Sequence, residues 1–416
     1  MKVQRIGLGL LVFLLTACGN QTLDSILGRG NTNDKITDPF LCDGSRLVKN
    51  RFIVNWKNGK TTVEQSENLE LFKRKFLTPR MHEIQTAEYD VMVELKDYQT
   101  HSIISAIDSQ SWGQNLTEVQ AVWNQGIYGQ GVKVGVVDAA IDYRHAQINP
   151  RLDQNNAEIS GSNGRDDDGN GLVDDLYGWD FYQNIPDPKN IVNLQNTHGT
   201  HVSGIVLADH SKGQMRGIAP QATLVPANFM SANGSGSLGA GIAALKYVAS
   251  RGARVINASW GGPGCSESLR STISALANSN VLVVVAAGND GLDLDRTPDY
   301  PASFNLGNQL NVGASNRNNY LTTWSNSSYN FVHIAAPGDE IFSTVYGGYA
   351  YMSGTSMAAP FVSGAAALLW SVKPNAHYSQ IRQALLNSVD VHNMRVSSQG
   401  RMNVRKAVDE IRRLVP

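Results

Sequence analysis

From about residue 129 onward, the chain alternates between short apolar runs and stretches in which apolar residues recur every three or four positions. The apolar runs that read as strands are 132–137, 224–229, 255–258, 281–286 and 310–312. Runs of this kind are typical of parallel strands that are buried on both faces. Two stretches between them, 238–248 and 269–276, carry their apolar residues on one helical face. The pattern predicts an α/β domain with a doubly covered, mainly parallel sheet over residues 111–416.

A second, smaller pattern precedes this domain. Residues 51–56 and 89–95 alternate between apolar and polar positions, and residues 66–76 between them have helical spacing. This predicts a small α+β unit over residues 46–110. Residues 18–45 are mostly polar and rich in Gly, Asn and Thr, so we expect them to be a tether.

The first residues have the composition of an export signal. Lys2 and Arg5 precede an apolar run, 6–15, that is too short to span a bilayer permanently. The run ends in Leu-Thr-Ala-Cys, which resembles the lipobox of bacterial lipoproteins, and this predicts a signal peptide over 1–17 with lipidation of Cys18. By the same resemblance, Gly19 after the cysteine favours a location at the outer membrane over retention at the inner membrane. The alternative is a buried N-terminal helix.

Composition narrows the classes of protein. The chain has 42% hydrophobic and 17% charged residues, which is typical of a globular protein, and its net charge of −1 gives no indication of nucleic-acid binding. With three cysteines, a disulfide-built scaffold is excluded. Cys42 and Cys265 have no informative spacing, and we predict that both are free thiols, although export would permit them to pair.

A candidate nucleophile lies where a turn of small residues meets an apolar helix. Ser356, in Gly-Thr-Ser-Met-Ala-Ala-Pro, precedes an Ala- and Leu-rich stretch that ends at Trp370. At the first turn of a helix, unpaired N–H groups favour a developing negative charge. An isolated serine there would more commonly be an N-cap. His198, in Thr-His-Gly-Thr-His, is a candidate base, and Asp138, at the end of the run 132–137, is a candidate acid.

These motifs, in the order Asp, His, Ser, make residues 112–408 resemble the subtilisin family of serine proteases. The resemblance implies a subtilisin-like fold and hydrolysis of peptide bonds through Asp138, His198 and Ser356. It also selects His198 over His201 as the base. Spacing alone would allow the two histidines to bind a metal, but no third ligand accompanies them, so we expect no catalytic metal.

The resemblance also assigns substrate contacts. Asn289 would donate its amide to the oxyanion, together with the backbone N–H of Ser356. Six further residues would bind an extended substrate and line its primary pocket: Ser259, Trp260, Gly261, Ala286, Ala287 and Gly288. By the same resemblance Asp299 would stand at the base of that pocket, and we predict a preference for Lys or Arg before the scissile bond. The alternatives are neutralisation by Arg296 or a carboxylate that faces solvent.

In two places the chain departs from the family. Asp138 is followed by Ala139-Ala140, where Ser or Thr and then Gly are usual. This motivates the rival hypothesis of a catalytically impaired, subtilisin-like binding protein. The unit at 46–110 resembles the family's inhibitory propeptide, but no clear final strand leads into the junction. We therefore place the cut only between residues 97 and 112, and a permanent N-terminal binding domain is the alternative.

An acidic stretch between the Asp and His motifs has the spacing of a calcium loop. The predicted oxygen ligands are Asp166, Asp168, Asn170, Leu172 through its carbonyl, and Asp174. Position twelve of the loop is Tyr177, so the bidentate Glu of an EF-hand is absent. Similar insertions occur in relatives, and we expect structural Ca²⁺. The alternative is an acidic surface turn.

These expectations describe an exported serine endopeptidase that is made as a self-processed precursor. It would be anchored by lipid at the outer membrane or cell surface, or released after processing. Its partners would be protein or peptide substrates, its own propeptide and, through the lipid, a membrane. We expect a monomer. A dedicated processing protease with few targets is a narrower alternative.

Overall fold

A computed structural model describes residues 46–95, 99–101, 111–186 and 197–415, with the backbone alone for 99–101. The predicted signal peptide, the tether, Cys18, Cys42 and most of the predicted cleavage region lie outside the described residues. Strands within them are β1 Arg46–Trp56, β2 Thr61–Gln65, β3 Ile84–Leu95, β4 Gln99–His101, β5 Lys133–Asp138, β6 Trp179–Asp180, β7 Thr223–Asn228, β8 Ser235–Ser237, β9 Val255–Ala258, β10 Trp260–Gly261, β11 Leu282–Ala286, β12 Gln309–Ser315, β13 Ile334–Pro337, β14 Ile341–Val345, β15 Gly348–Ser353, β16 Asp390–Val391 and β17 Gly400–Arg401.

Helices alternate with these strands. The first, α1, is built from Leu69–Leu71, the π-helical turn Phe72–Leu77, and Thr78–Arg80. The others are α2 Trp112–Leu116, α3 Val119–Trp123, α4 Asn156–Ser160, α5 His198–Leu207, α6 Leu238–Ser250, α7 Glu267–Leu276, α8 Thr355–Val372, α9 Tyr378–Asn387 and α10 Val404–Leu414.

The main sheet has nine strands in the order β16-β17-β13-β12-β11-β9-β5-β7-β6, and it is parallel except at the β16–β17 edge. Alternate residues of each strand enter different cores: Val134 and Val136 pack with α5 and α8, and Val137 packs with α6 and α7. The predicted α/β class, a mainly parallel sheet covered on both faces, is confirmed.

Helix α8 lies at the centre of one core. It is long and apolar enough to cross a membrane, but 89% of its 18-residue window is buried inside the protein. Its hydrophobicity is therefore that of a core helix. Helix α8 begins beside the carboxyl ends of the sheet strands. Its first turn therefore lies at the edge of the sheet where active sites and ligand-binding sites of α/β proteins form.

The N-terminal unit is a β-sheet that carries α1 on one face. Strand β1 pairs antiparallel with both β2 and β3, and Phe52, Phe72 and Ile84 belong to a separate small core. The other face of this sheet joins the larger α/β domain, because Ile53, Val91 and Val93 belong to the same core as α6 and α7. The unit therefore packs against the larger domain through an apolar face.

The prediction of two free thiols is wrong for Cys265, which is disulfide-bonded. The half-buried Cys265 immediately precedes Ser266, whose hydroxyl donates to Glu88 on β3. The fold thus brings Cys265 beside the N-terminal unit, a proximity across the chain that sequence spacing could not reveal. Its partner lies outside the described residues.

Candidate active site

The candidate catalytic residues meet at the carboxyl edge of three neighbouring strands. Strand β5 ends at Asp138, and its neighbour β9 is followed directly by Ser259. The register pairs Val137 with Ala258, and Ala258 in turn with Val285 on β11. Because neighbouring strands lie about 4.8 Å apart, residues from these three strand ends share one small region.

Asp138 and His198 form a buried pair. Nδ1 of the imidazole lies 2.7 Å from Oδ1 of Asp138, and both side chains are 0% exposed. His198 is the first residue of α5, and the next residue is Gly199. A Cβ on Gly199 would lie 2.4 Å from the carbonyl oxygen of Ala139. Glycine is therefore required there if the helix is to approach the Asp138 turn closely enough for this contact.

The Ala139-Ala140 departure does not disturb the pair. Both alanines are fully buried, and neither has a positive φ, so the turn does not demand glycine. The N–H of Ala139 donates to Oδ1 of Asp138 at 2.7 Å, which fixes the carboxylate that faces His198. An alanine pair is thus compatible with the geometry that the family motif requires.

His201 has a different role from that of His198. Its Nε2 lies 3.0 Å from the carbonyl oxygen of Ile341, to which the ring N–H donates. Burial lowers the pKa of His201 to about 3, so the ring is neutral at ordinary pH. His201 therefore joins helix α5 to β14, and His198 is the histidine beside the carboxylate.

Ser356 is held against strand β9. Its hydroxyl donates to the carbonyl oxygen of Ser259 at 3.2 Å, and the hydroxyl of Ser259 donates to the carbonyl oxygen of Ser356 at 3.1 Å. It is the second residue of α8, where backbone N–H groups lack intrahelical partners. Since β9 neighbours β5, this reciprocal pair places Ser356 next to the strand end that carries Asp138.

The side chain of Asn289 is oriented by the residue before Ser356. The backbone N–H and the hydroxyl of Thr355 both donate to Oδ1 of Asn289, each at 2.8 Å. Two donors identify that atom as the oxygen, so the other end of the amide is the donor end. Sequence reasoning missed the role of Thr355; a hydroxyl next to the candidate nucleophile was the available signal.

Asp299 lies beneath the end of β11. Asp299 is 4% exposed, and a Cβ added to Gly288 would lie 3.0 Å from Oδ2 of Asp299. Gly288 has a φ of +107°, which L side chains rarely adopt, so both conformation and space favour glycine. Arg296 instead pairs with Asp293, at 3.6 Å, and its side chain is 86% exposed. Neither the Arg296 alternative nor a solvent-facing carboxylate fits the structure.

The predicted substrate strands already have a partner. Strand β3 runs between β8 and β10: Glu94 pairs with Ser235 on one side and with Gly261 on the other. The N–H of Leu95 then donates to the carbonyl oxygen of Gly234 at 2.8 Å. The chain next pairs with β15 through β4, where Gln99 lies opposite Ser353. Strand β3, which contains the predicted run 89–95, therefore lies between the two predicted substrate strands, and the strand that the sequence did not reveal is β4, beside Ser353.

Two carboxylates of β3 cap helices of the catalytic domain. Glu88 accepts from the hydroxyl of Ser266 and from the N–H groups of residues 267 and 268, at the start of α7. Asp90 accepts from the N–H of Gly239, at 2.9 Å, in the first turn of α6. Burial raises the pKa of both carboxyls, and the donated hydrogen bonds oppose part of that rise. Sequence reasoning missed both caps.

The acidic loop brings together a carboxylate group that differs from the predicted ligands. One oxygen each from Glu158, Asp168 and Asp175 lies within 4.8 Å of the others. Of the predicted side-chain ligands, only Asp168 belongs to this group. Asp166 accepts from the N–H groups of residues 169–171, and Asp174 accepts from that of Gly164. Asn170 donates its amide to Asp168. The N–H of Leu172 donates to Oδ1 of Asn170 at 2.8 Å.

The comparisons with known proteins agree with this geometry. The profile of the Subtilase family matches residues 129–407. The chain belongs to the subtilase family. The major intracellular serine protease of Bacillus subtilis (strain 168) is 31% identical over 296 residues, which is 70% of this chain and 85% of that protein. The intracellular serine protease of Paenibacillus polymyxa is 36% identical over 260 residues, or 62% of this chain and 72% of that protein.

Other relatives of this subtilase are longer. Subtilisin-like protease 1 of Plasmodium falciparum (isolate 3D7) is 31% identical over 325 residues, and the match spans 72% of this chain and 46% of that protein. Fervidolysin from Fervidobacterium pennivorans, described as a keratinolytic enzyme related to subtilisin, has the same fold, with a TM-score of 0.71 and 22% identity. That similarity covers 89% of this chain and 62% of fervidolysin. It extends over more of the chain than the family profile does.

Proposed function

We propose that this subtilase is a serine endopeptidase that cleaves proteins or peptides. The observation that supports it most directly is the buried contact of 2.7 Å between Asp138 and His198, next to the strand end that holds Ser356. Family membership supports the same reaction, because the relatives are named serine proteases.

The reaction follows from the orientation of these groups. Oδ1 of Asp138 accepts a hydrogen bond from the Nδ1–H of His198, so the neutral ring carries its lone pair on Nε2. Nε2 removes the hydroxyl proton of Ser356 as Oγ attacks the scissile carbonyl, and the same proton then passes to the leaving amine. Asp138 stabilises the imidazolium that forms. The amide of Asn289 and the N–H of Ser356 stabilise the oxyanion.

Substrate would bind as an added strand between β8 and β10, in the position that β3 now occupies. We therefore propose that the N-terminal unit is an inhibitory propeptide. The chain leaves the groove after Leu95 and pairs again at Gln99, opposite Ser353, so we place the self-cleaved bond between residues 95 and 99. This segment contains Lys96, a basic residue of the kind that Asp299 would select.

Self-cleavage tests this proposal. Wild type and Ser356→Ala should be purified in full and their N-termini read by mass spectrometry. We expect a new N-terminus between residues 96 and 99 in the wild type alone. An uncut wild type that also fails to hydrolyse any peptide would favour the binding-protein rival. That rival has little support, because the Ala139-Ala140 turn leaves the pair of Asp138 and His198 intact.

The acidic loop fits structural Ca²⁺. Carboxylate oxygens are the ligands that Ca²⁺ prefers, and Glu158, Asp168 and Asp175 already bring three of them together. Burial raises the pKa of Asp175, and the neighbouring Asp168 carboxylate raises it further, so a cation there would relieve the repulsion. We propose that these three residues hold the ion and that its role is to fix this loop.

Export and lipid anchoring at Cys18 complete the proposal, with the outer membrane or cell surface as the location. They rest on the signal-like sequence, and the disulfide at Cys265 supports export, since disulfides persist in oxidising compartments. Cys18→Ser should move the protein from the membrane fraction to the soluble fraction or block its maturation. Unchanged fractionation and unchanged mass would contradict lipidation.

A further inference from the structure

The disulfide at Cys265 joins the two parts of the chain. The sequence contains three cysteines, and the other two are Cys18 and Cys42. Both precede β1, the first strand of the N-terminal unit. Whichever of them is the partner, the bond connects the catalytic domain to the segment before that unit. The segment proposed for cleavage, residues 95–99, lies inside the loop that the bond closes.

The register of β3 shows how close together the two chain segments that lead to these cysteines lie. Met92 pairs with Arg46 on one side and with β8 on the other, and Glu94 pairs with Gly261 and with β8. Since β8 occupies one edge of β3, Arg46 and Gly261 must share the opposite edge. They are two positions apart along β3, which corresponds to about 7 Å. The guanidinium of Arg46 also pairs with the Glu94 carboxylate.

Cys42 can reach Cys265 from these positions. Cys42 lies four residues before Arg46, and Cys265 lies four residues after Gly261. Four residues span up to about 14 Å, and a disulfide needs Cα atoms about 4.4–6.8 Å apart. Neither strand has to move for the two to meet. Lipidation would consume the thiol of Cys18, which leaves Cys42 as the partner.

We propose that Cys42 and Cys265 form a disulfide that keeps the N-terminal unit covalently attached after self-cleavage; the choice of Cys42 over Cys18 and the self-cleavage both rest on the proposed function. Formation takes two electrons and two protons from the two thiols. The acceptor is a disulfide oxidoreductase of the cell envelope, in its disulfide form. One thiolate attacks the oxidant's disulfide and forms a mixed disulfide. The second thiolate attacks the protein sulfur of that mixed disulfide, and the oxidant leaves as a dithiol.

The bond changes how the enzyme is regulated and where it stays. A cleaved but tethered inhibitor acts intramolecularly, at an effective concentration on the order of mM, so dilution does not release it. The proposed lipid at Cys18 is on the same side of the bond as Cys42. The catalytic domain therefore stays at the membrane after cleavage. After reduction, only non-covalent contacts hold the inhibitor, so dilution can then release the catalytic domain from both the inhibitor and the anchor.

Gel mobility with and without reductant tests the tether. Free thiols are alkylated at lysis, and the catalytic domain is detected through a C-terminal tag. We expect the cleaved wild type and Cys18→Ala to run as one species without reductant and as a smaller fragment with it. Cys42→Ala should give the smaller fragment in both lanes. Separate fragments without reductant in wild type would overturn the tether, and a linked species in Cys42→Ala would overturn the assignment of Cys42.

A second arm removes the dependence on self-cleavage. In Ser356→Ala, a recognition sequence for an added, site-specific protease is inserted within residues 102–110, and the chain is nicked there. If the nicked halves stay linked until reduced, the tether holds even when the wild type is never self-cleaved. If they separate without reductant, the tether is refuted whatever the activity of the wild type.

Reduction should also raise peptidase activity in wild type and leave that of Cys42→Ala unchanged.

Discussion

Thr355 fixes the side-chain oxygen of Asn289. The N–H and the hydroxyl of Thr355 both donate to Oδ1 of Asn289, each at 2.8 Å. The residue before the proposed nucleophile, Ser356, thus orients the amide that is proposed to stabilise the oxyanion. Any change that frees the amide should weaken transition-state stabilisation while leaving the groove between β8 and β10 intact.

We expect Asn289→Ala to lower kcat by roughly 10²–10³-fold with little change in KM, a range that comes from subtilisin, a member of the same family. Thr355→Val, which removes only the hydroxyl, should cause a smaller loss in kcat. Peptide hydrolysis is measured on samples nicked within residues 102–110 and reduced, so that slow self-cleavage does not interfere. A kcat that stays at the wild-type level would remove Asn289 from the mechanism.

Substrate preference should depend on Asp299. Its buried carboxylate beneath Gly288 would attract a basic side chain, so we expect Lys or Arg immediately before the scissile bond. Peptide-library profiling of wild type, Asp299→Gly and Asp299→Asn should show that both variants lose this preference. Equal profiles, or a wild type that prefers Leu and Phe, would contradict the assignment. A profile restricted to a few sequences would favour the dedicated processing protease.

The sequence predicted the main sheet well because parallel strands buried on both faces must be apolar. The run 255–258 coincides with β9, whereas the end of β12 was missed because Gly313 and Ser315 are not apolar enough to mark a strand. Strand β2, Thr-Thr-Val-Glu-Gln, was missed for a related reason: it is a half-exposed edge, and its polar residues carry no burial signal.

Contacts between segments that are distant in the sequence could not be predicted from the sequence alone. Motif order predicted Asp138, His198 and Ser356 as the catalytic residues, because each motif has its own local signature. Glu158 and Asp175 lie 17 positions apart, and only the fold brings their oxygens together. In the same way, nothing near Cys265 indicates that β3 and β1 lie beside it.

The pH dependence of stability should report the burial of Glu88. Its pKa is raised in the fold from 4.5, mainly by desolvation, so the stability it contributes is fully present below pH 4.5 and is lost as pH rises through the folded-state value. In full-length Ser356→Ala, the melting temperature relative to that of a Ser356→Ala/Glu88→Gln variant should therefore fall as pH rises from 4.5. The exposed Glu67, changed to Gln, is the matched control and should give a parallel curve. If Glu88→Gln is also parallel, this carboxylate is not titrating as proposed.

Chelation should destabilise the protein through the acidic loop. A ligand at a hundred times its dissociation constant contributes about 2.7 kcal/mol, so removing Ca²⁺ should lower the melting temperature measurably. Asp168→Asn should reduce that shift, because Asp168 belongs to the carboxylate group with Glu158 and Asp175. Glu67→Gln should keep the full shift. A melting temperature that chelator leaves unchanged would identify the loop as an acidic turn.

Covalent labelling of Ser356 tests the central claim most directly. Wild type, Ser356→Ala and His198→Ala are nicked within residues 102–110, reduced, and separated from the N-terminal unit by dilution and size exclusion so that β3 leaves the groove. They are then treated with a small serine-directed phosphonate. Peptide mass spectrometry then locates the adduct. We expect the wild type to be labelled at Ser356, with little labelling of His198→Ala and none at residue 356 in Ser356→Ala. A folded, calcium-loaded wild type that does not react, or that reacts at another serine, would contradict the proposed serine protease.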